Sequence, residues 1–549
     1  MADATRERQR SFGRDGVGVD VVVVGAGMAG LYALYHLREL GFSVVLLEAG
    51  GGVGGTWHWN RYPGARCDVP SLEYSYGFSK ELEQEWEWSE VFPPQRELER
   101  YFNHVADRFD LRRDLRLNTR VTAASFDEQP STWNVETEHD EAITCRFLVM
   151  ATGPLSTPNV PDIPGRDTFE GLLLQTSRWP DGVDVSGRRI GLIGTGSSGV
   201  QTTPELAAVA DHLYVFQRTP TYTWPSRNGP LDPDVAAAWK RDCVDNRRMQ
   251  REVFGGVTGS TGAIILEMPG EKPILESTEE ERLAMLEARG FDASRAWSDV
   301  AINPEANELA CELFREMVRR TVTDPEVAEK LSPRGYPIGC KRPVVDTNYF
   351  ETFNRDNVTL IDLRRGGIER ITETGIQTAQ GHFELDVIVF ATGFDALTGA
   401  LARIDIRGRA GRALRDTWAD GPRTYLGLQT AGFPNLFTVT GPGSPSVLVN
   451  MVVASEQHVE WIGACLAWMR ERGLATIEPT REAQDAWVEH VNQIAVGTMW
   501  TAPTCNSWYL GANIPGKPRV FMPYVGGLPA YIEKAETIAA NGYEGFALS

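Results

Sequence analysis

A chain of 549 residues is too long for one compact core, so two to four domains are expected. Hydrophobic residues make up 42% and charged residues 23%, which excludes a disordered or fibrous chain. The formal net charge of −20 disfavours nucleic acid and anionic membrane surfaces as main partners, while leaving room for a local phosphate site.

The start, Met1 to Asp20, carries four arginines but no apolar stretch, so it reads as a loose tail rather than a signal peptide. No later run reaches the roughly 18 apolar residues needed to cross a bilayer. The first ordered segment is a β-branched strand, Asp20-Val-Val-Val-Val24, which runs directly into Gly25-Ala-Gly27-Met-Ala-Gly30. A helix follows through Leu40, and then a second strand, Ser43 to Leu47, ending at Glu48. Strand, Gly-rich turn, helix, strand and acid in this order predict a dinucleotide site. The pyrophosphate sits at the helix N-terminus and Glu48 takes the ribose hydroxyls.

The unit recurs. Arg188 to Ile193 leads into Gly194-Thr195-Gly196-Ser197-Ser198-Gly199, a helix through Ala210, and the strand His212 to Phe216. Here the strand ends in Gln217-Arg218-Thr219 rather than an acid. An arginine at that place pairs with a 2′-phosphate that a carboxylate would repel, so the second unit is expected to take NADP. Two apolar strands, Phe147 to Met150 and Val387 to Phe390, both end in Ala-Thr-Gly. They mark crossings between two nucleotide domains, the second inserted into the first. Between about residues 226 and 334 the chain has no Gly-rich turn and many helix-formers, so a helical insertion is expected there. The seven cysteines are scattered, odd in number and never C-x-x-C. A disulfide scaffold and a dithiol redox centre are disfavoured, and a reducing cytoplasm is expected. The eight histidines show no metal-binding spacing, so no metal is expected.

Directly after the first unit comes Gly54-Gly55-Thr56-Trp57-His-Trp-Asn-Arg-Tyr62-Pro-Gly-Ala-Arg-Cys-Asp68. This stretch resembles a long fingerprint of the type I Baeyer–Villiger monooxygenases. A second family signature, F-x-G-x-x-x-H-x-x-x-W-P, is matched by Phe169, Gly171, Trp179 and Pro180, but Gln175 stands where the family has histidine. Gln can hydrogen-bond but cannot titrate near neutrality, so the expectation is a retained fold with impaired rate or coupling. The likeness runs along nearly the whole chain after about residue 18 and is strongest to the phenylacetone and steroid monooxygenase branch.

The resemblance implies an α/β protein with two Rossmann-like domains, one for FAD and one for NADP, plus the helical insertion. The expected division is 1–160 and 386–549 for the FAD domain, 161–225 and 335–385 for the NADP domain, and 226–334 for the insertion. It further implies that NADPH reduces FAD and that oxygen adds at flavin C4a. The resulting peroxide anion attacks a ketone, giving an ester or lactone, with sulfoxidation as a side reaction. Arg342 is then the permanent cation that steadies the anion, and Asp68 is its acidic partner. Residues 25, 27, 30, 48, 55–57, 62 and 68 are assigned to FAD. Residues 194–199 together with Arg218, Thr219 and Lys341 are assigned to NADP. Trp508 is placed on a C-terminal loop over the nicotinamide, and Ser446, Val447 and Leu448 shape the ketone pocket. A monomer acting on a small ketone and oxygen is expected. The alternatives are a flavin N- or S-oxygenating enzyme and a non-catalytic redox-sensing flavoprotein.

Overall fold

The computed structural model describes residues 18–259, 270–342 and 344–549; the tail expected before residue 20 lies, up to residue 17, outside them. Strand β1 (Val19–Val24), helix α1 (Met28–Glu39) and strand β2 (Val44–Leu47) form the first unit. β1 lies between β2 and β3 (Ala142–Met150), parallel to both. Its side chains alternate between two apolar layers. Val21 and Val23 pack with Leu31, Leu34 and Leu37 of α1, whereas Val22 and Val24 pack with Trp133 and Phe433 on the other face. A strand covered on both faces reads as an unbroken run of valines, because no side of it meets water.

The second sheet contains β4 (Leu172–Gln175), β5 (Arg189–Ile193), β6 (His212–Gln217), β7 (Val358–Asp362) and β8 (Val387–Phe390), in the order β7-β6-β5-β8-β4. Helix α2 (Ser197–Val209) follows β5 as α1 follows β1. This topology corrects one expected boundary. Val387–Phe390 pairs on both sides within the second sheet, so that unit runs beyond residue 385 and the return to the first unit comes after β8. The apolar Val-Ile-Val-Phe pattern marks a buried strand without saying which sheet owns it.

The two Ala-Thr-Gly segments have the same structural job. β3 leads into Ala151, whose carbonyl oxygen would lie 2.6 Å from a Cβ at Gly25. β8 leads into Ala391, whose carbonyl oxygen would lie 2.4 Å from a Cβ at Gly194. Gly25 and Gly194 also have φ of +103° and +112°, so neither turn admits a side chain. The last glycine of each turn is equally forced by helix–strand packing: a Cβ at Gly30 or Gly199 would fall 1.8 or 2.2 Å from the carbonyl oxygen of Gly25 or Gly194.

Residues 226–334 are helical over Pro233–Arg241, Cys243–Glu252, Glu279–Arg289, Pro304–Thr321 and Pro325–Leu331. Two short parallel strands, Thr223–Pro225 and Val344–Asp346, close the base of this excursion. Its first two helices lean on the first unit, where Arg247 pairs with Glu83 and Lys240 donates to the Gln84 carbonyl at 3.1 Å. The later ones join the core of the second unit through Phe314, Val318 and Leu331. Among the described residues, no helix is long and apolar enough to cross a membrane.

Candidate active site between two nucleotide units

Each Gly-rich turn leaves the start of its helix open to an anion. Gly27 and Gly196 are the N-caps of α1 and α2, and neither helix has a side-chain cap. The first-turn N–H groups, which have no partner inside the helix, are thus left facing the turn. A Cβ at Gly196 would meet nothing within 4 Å, so the space above the second turn is empty of protein. These two cradles fit the pyrophosphates of FAD and NADP.

Glu48 ends β2 with its carboxylate fixed by two backbone donors, Ala26 N–H and Gly50 N–H, each at 2.7 Å. Each oxygen keeps a lone pair for a ribose hydroxyl. Gly55 presses on the first turn from above: a Cβ there would stand 2.9 Å from Gly27 Cα. Thr56 is exposed beside it, and Trp57 is buried with its indole N–H on the Tyr74 hydroxyl at 3.3 Å. Tyr62, assigned to FAD by resemblance, also reaches the second unit. Its hydroxyl donates to Gln201 Oε1 of α2 at 2.8 Å, so this part of the fingerprint fastens the first unit to the second.

At the second turn the Thr195 hydroxyl donates to the Thr219 carbonyl at 2.8 Å, holding the segment after β6. Arg218 is exposed and has no ion pair among the described residues. Lys341 lies over the Tyr336 ring at 4.2 Å. Burial, with the neighbouring Arg218 charge, lowers the Lys341 amine to about 8. Two cations brought close with no carboxylate to balance them suit a 2′-phosphate. A phosphate bound there would raise the Lys341 pKa, so the contribution of its charge to affinity would be full below about pH 8 and fade as the pH rises above that value. NADP titrations from pH 7 to 9.5 are therefore expected to show affinity falling through this window in the native enzyme and staying flatter in Lys341→Arg.

Arg342 and Asp68 form a two-pronged pair, with Nε to Oδ2 at 2.7 Å and Nη2 to Oδ1 at 2.9 Å. The third prong, Nη1, donates to the Val447 carbonyl at 2.5 Å. The two side chains remain 28% and 27% exposed, so the pair faces open space rather than a closed core. Burial pulls the guanidinium pKa down, but the Asp68 charge and its hydrogen bonds, aided by Tyr509, outweigh that and raise it. Arg342 therefore stays charged throughout the working range and cannot protonate an anion placed against it.

Val447 lies in the short turn Ser446–Leu448, where the backbone of Ser446 takes φ +44°. The three side chains of the turn differ in exposure. Ser446 is fully buried with its hydroxyl on the Thr440 carbonyl at 2.9 Å, Val447 is buried, and Leu448 alone is half-exposed. The main chain of the turn, rather than its side chains, meets Arg342.

Trp508 lies half-buried in a turn beside Tyr509, ring centroids 4.5 Å apart. Its loop is pinned to the segment after β8 by Asn513 on the Phe394 carbonyl at 2.8 Å and by Lys517 on Asp395 at 2.6 Å. Tyr509 is fully buried against Arg342, and burial pushes its hydroxyl up to about 12. Sequence reasoning missed this residue, because a tyrosine next to a tryptophan carries no signal of its own. It also disfavoured a disulfide, whereas Cys340 and Cys505 are bonded, 165 residues apart. Scattered cysteines conceal a pair that only the fold brings together. The other five cysteines are free and buried.

Gln175 ends β4 opposite Phe390 of β8. The next residue, Thr176, reaches the Ser198 hydroxyl and the Phe390 carbonyl, both at 3.4 Å. Phe169 and Trp179 are buried in different cores, Gly171 would place a Cβ 2.6 Å from the Asp386 carbonyl oxygen, and Pro180 is exposed. Position 175 thus lies at the edge of the second nucleotide cradle. Gln175→His is expected to raise the ratio of oxygenated product to hydrogen peroxide severalfold. An unchanged ratio and turnover would show that glutamine serves equally well.

The family described as pyridine nucleotide-disulphide oxidoreductase matches residues 22–241, a span that takes in both Gly-rich turns. An acetone monooxygenase (methyl acetate-forming) of Gordonia sp. is 42% identical over 97% of this chain and 99% of its own length. A Baeyer–Villiger monooxygenase of Pseudooceanicola batsensis is 41% identical over 98% of this chain and 97% of its own. Among solved structures, an oxidised steroid monooxygenase bound to NADP is 50% identical, superposes with a TM-score of 0.89, and covers 96% of this chain and 99% of its own. The chain belongs to the Baeyer–Villiger monooxygenases, enzymes that use FAD and NADPH to convert ketones into esters or lactones.

Proposed function

We propose that this enzyme oxidises aryl, cyclic or polycyclic ketones, with Arg342 as the residue that holds the reacting oxygen in its anionic form. Bound FAD, reduced by NADPH, supplies the activated oxygen. What the chain supplies is charge and position. Arg342 offers a permanent cation in a partly enclosed site, where an ion–ion contact is worth more than in water. Asp68 and the Val447 carbonyl take three of its N–H groups and so fix the plane of the guanidinium. The N–H groups not taken by Asp68 and Val447 are the ones that would meet an oxyanion or a polarised carbonyl. Arg218 and Lys341 hold the 2′-phosphate, and Trp508 covers the nicotinamide end. The reaction is proposed to run in a monomer in the cytoplasm.

The observation that carries this reading is the three-pronged setting of Arg342 between Asp68, from the FAD fingerprint, and Val447. The test is an assay with NADPH, oxygen and either phenylacetone or a cyclic ketone. It follows NADPH loss, hydrogen peroxide and product mass together. A product heavier by one oxygen, with little peroxide, supports the reading. Peroxide matching NADPH loss with every aryl, cyclic and polycyclic ketone tried would overturn the substrate class.

A further inference from the structure

One bond and one electrostatic contact join the segment that carries Arg342 to the loop that carries Trp508. One is covalent, Cys340 to Cys505, with Cα atoms 6.1 Å apart. The other is polar, the Tyr509 hydroxyl against the Arg342 guanidinium. Cys340 is two residues before Arg342, and Cys505 is three residues before Trp508. The Cys505 end is held further by Arg519, which donates to the Cys505 carbonyl at 2.8 Å. Both cysteines are fully buried.

We infer that Cys340–Cys505 is a thiol-sensitive strap, and that Tyr509 is a positioning residue through which the C-terminal loop sets Arg342. The argument rests on the reading of Arg342 given above. With both ties intact, the loop cannot lift without dragging the segment that presents the guanidinium, so closure over the nucleotide and alignment of the cation are one event. With the strap open, only the Tyr509 contact remains, and Arg342 is free to follow Asp68 while the loop moves away. Reduction breaks the S–S bond: a dithiol donates two electrons and two protons, leaves as its own disulfide, and two cysteine thiols remain. The reverse step needs a two-electron oxidant, and hydrogen peroxide serves, each molecule giving two waters as the bond re-forms. Because neither sulfur is accessible, exchange requires the loop to open, so a bound nucleotide slows it. A single buried disulfide tying two functional segments, in a chain whose other five cysteines are free, constrains the loop rather than building a scaffold.

The test uses the FAD-loaded enzyme as isolated and after treatment with dithiothreitol, beside Cys505→Ser and Tyr509→Phe. Digestion without reduction is expected to yield one linked peptide pair containing Cys340 and Cys505, which the dithiol separates. Opening the strap is expected to make the loop around residues 502–520 cleavable by trypsin and to raise the peroxide share of consumed NADPH about tenfold. Tyr509→Phe should raise the peroxide share with the strap still linked, a change that a purely structural tyrosine would not produce. Both cysteines alkylating as free thiols in the untreated enzyme would overturn the strap. A linked pair whose reduction moves neither cleavage nor peroxide share would overturn its role. An enzyme that yields no product from any ketone while its linked loop resists trypsin would refute the substrate reading alone, because linkage and cleavage are read without a ketone.

Discussion

Replacing Arg342 with alanine will cut ester or lactone formation by roughly a thousandfold or more, the scale seen when a preorganised donor to a developing anion is removed. Reduction of the flavin by NADPH will continue, because Arg342 takes no part in the nucleotide cradles. NADPH consumption will then appear as peroxide. The cause is specific: Arg342 is held by Asp68 at 2.7 and 2.9 Å and by the Val447 carbonyl at 2.5 Å. Asp68→Ala leaves the cation but frees it to rotate, and a loss of about a hundredfold is expected from misplacement alone. The double variant should be no worse than Arg342→Ala as far as Asp68 acts through its partner, and any further loss would report its contact with FAD. Single-turnover product yields, with anaerobic reduction as control, check all three. Product formation by Arg342→Ala within tenfold of the native enzyme would refute this assignment.

Reversing the charge at the second cradle will change which nucleotide the enzyme accepts. Arg218→Glu is expected to lower kcat/KM for NADPH by about a hundredfold, because a charge-assisted contact worth about 1.5–3 kcal/mol is replaced by repulsion. The loss should fall on KM, since the 2′-phosphate is far from the hydride and contributes equally to ground and transition states. NADH, which has no 2′-phosphate, should be used nearly as before. Lys341→Ala should show a smaller loss of the same kind, about tenfold, because its amine is partly discharged near pH 8. Steady-state kinetics with both nucleotides separate these outcomes. An equal loss with NADH would mean that Arg218 supports the turn rather than the phosphate.

Much of this site is local in the chain and therefore legible. The Gly25 and Gly194 turns must follow a strand and start a helix within a few residues, and the last glycine of each is forced by the carbonyl of the first, five residues earlier. Glu48 and Arg218 end the second strand of each unit, where the geometry of β-α-β sets their distance from the turn. Asp68 and Arg342 could be named by resemblance, although 274 residues separate them.

Other features come from tertiary packing and leave no trace in local pattern. The strand Val387–Phe390 could belong to either sheet by its apolar run, and only pairing with β5 and β4 assigns it to the second. The hydroxyl of Tyr62 reaches Gln201 of the other unit. Ser446 turned inward, because a buried hydroxyl must find a partner and the Thr440 carbonyl lies within reach. Cys340 and Cys505 meet across 165 residues, and Tyr509 meets Arg342 through the same closure. The sequence by itself determined the two cradles and the 2′-phosphate preference of the second, because turns, helix starts and strand ends are set by neighbours along the chain; FAD and the chemistry were legible only through the resemblance of the Gly54–Asp68 stretch. The tertiary structure alone decided that Val447 and Tyr509 join Asp68 around Arg342, because contacts between distant segments depend on how whole sheets and loops pack.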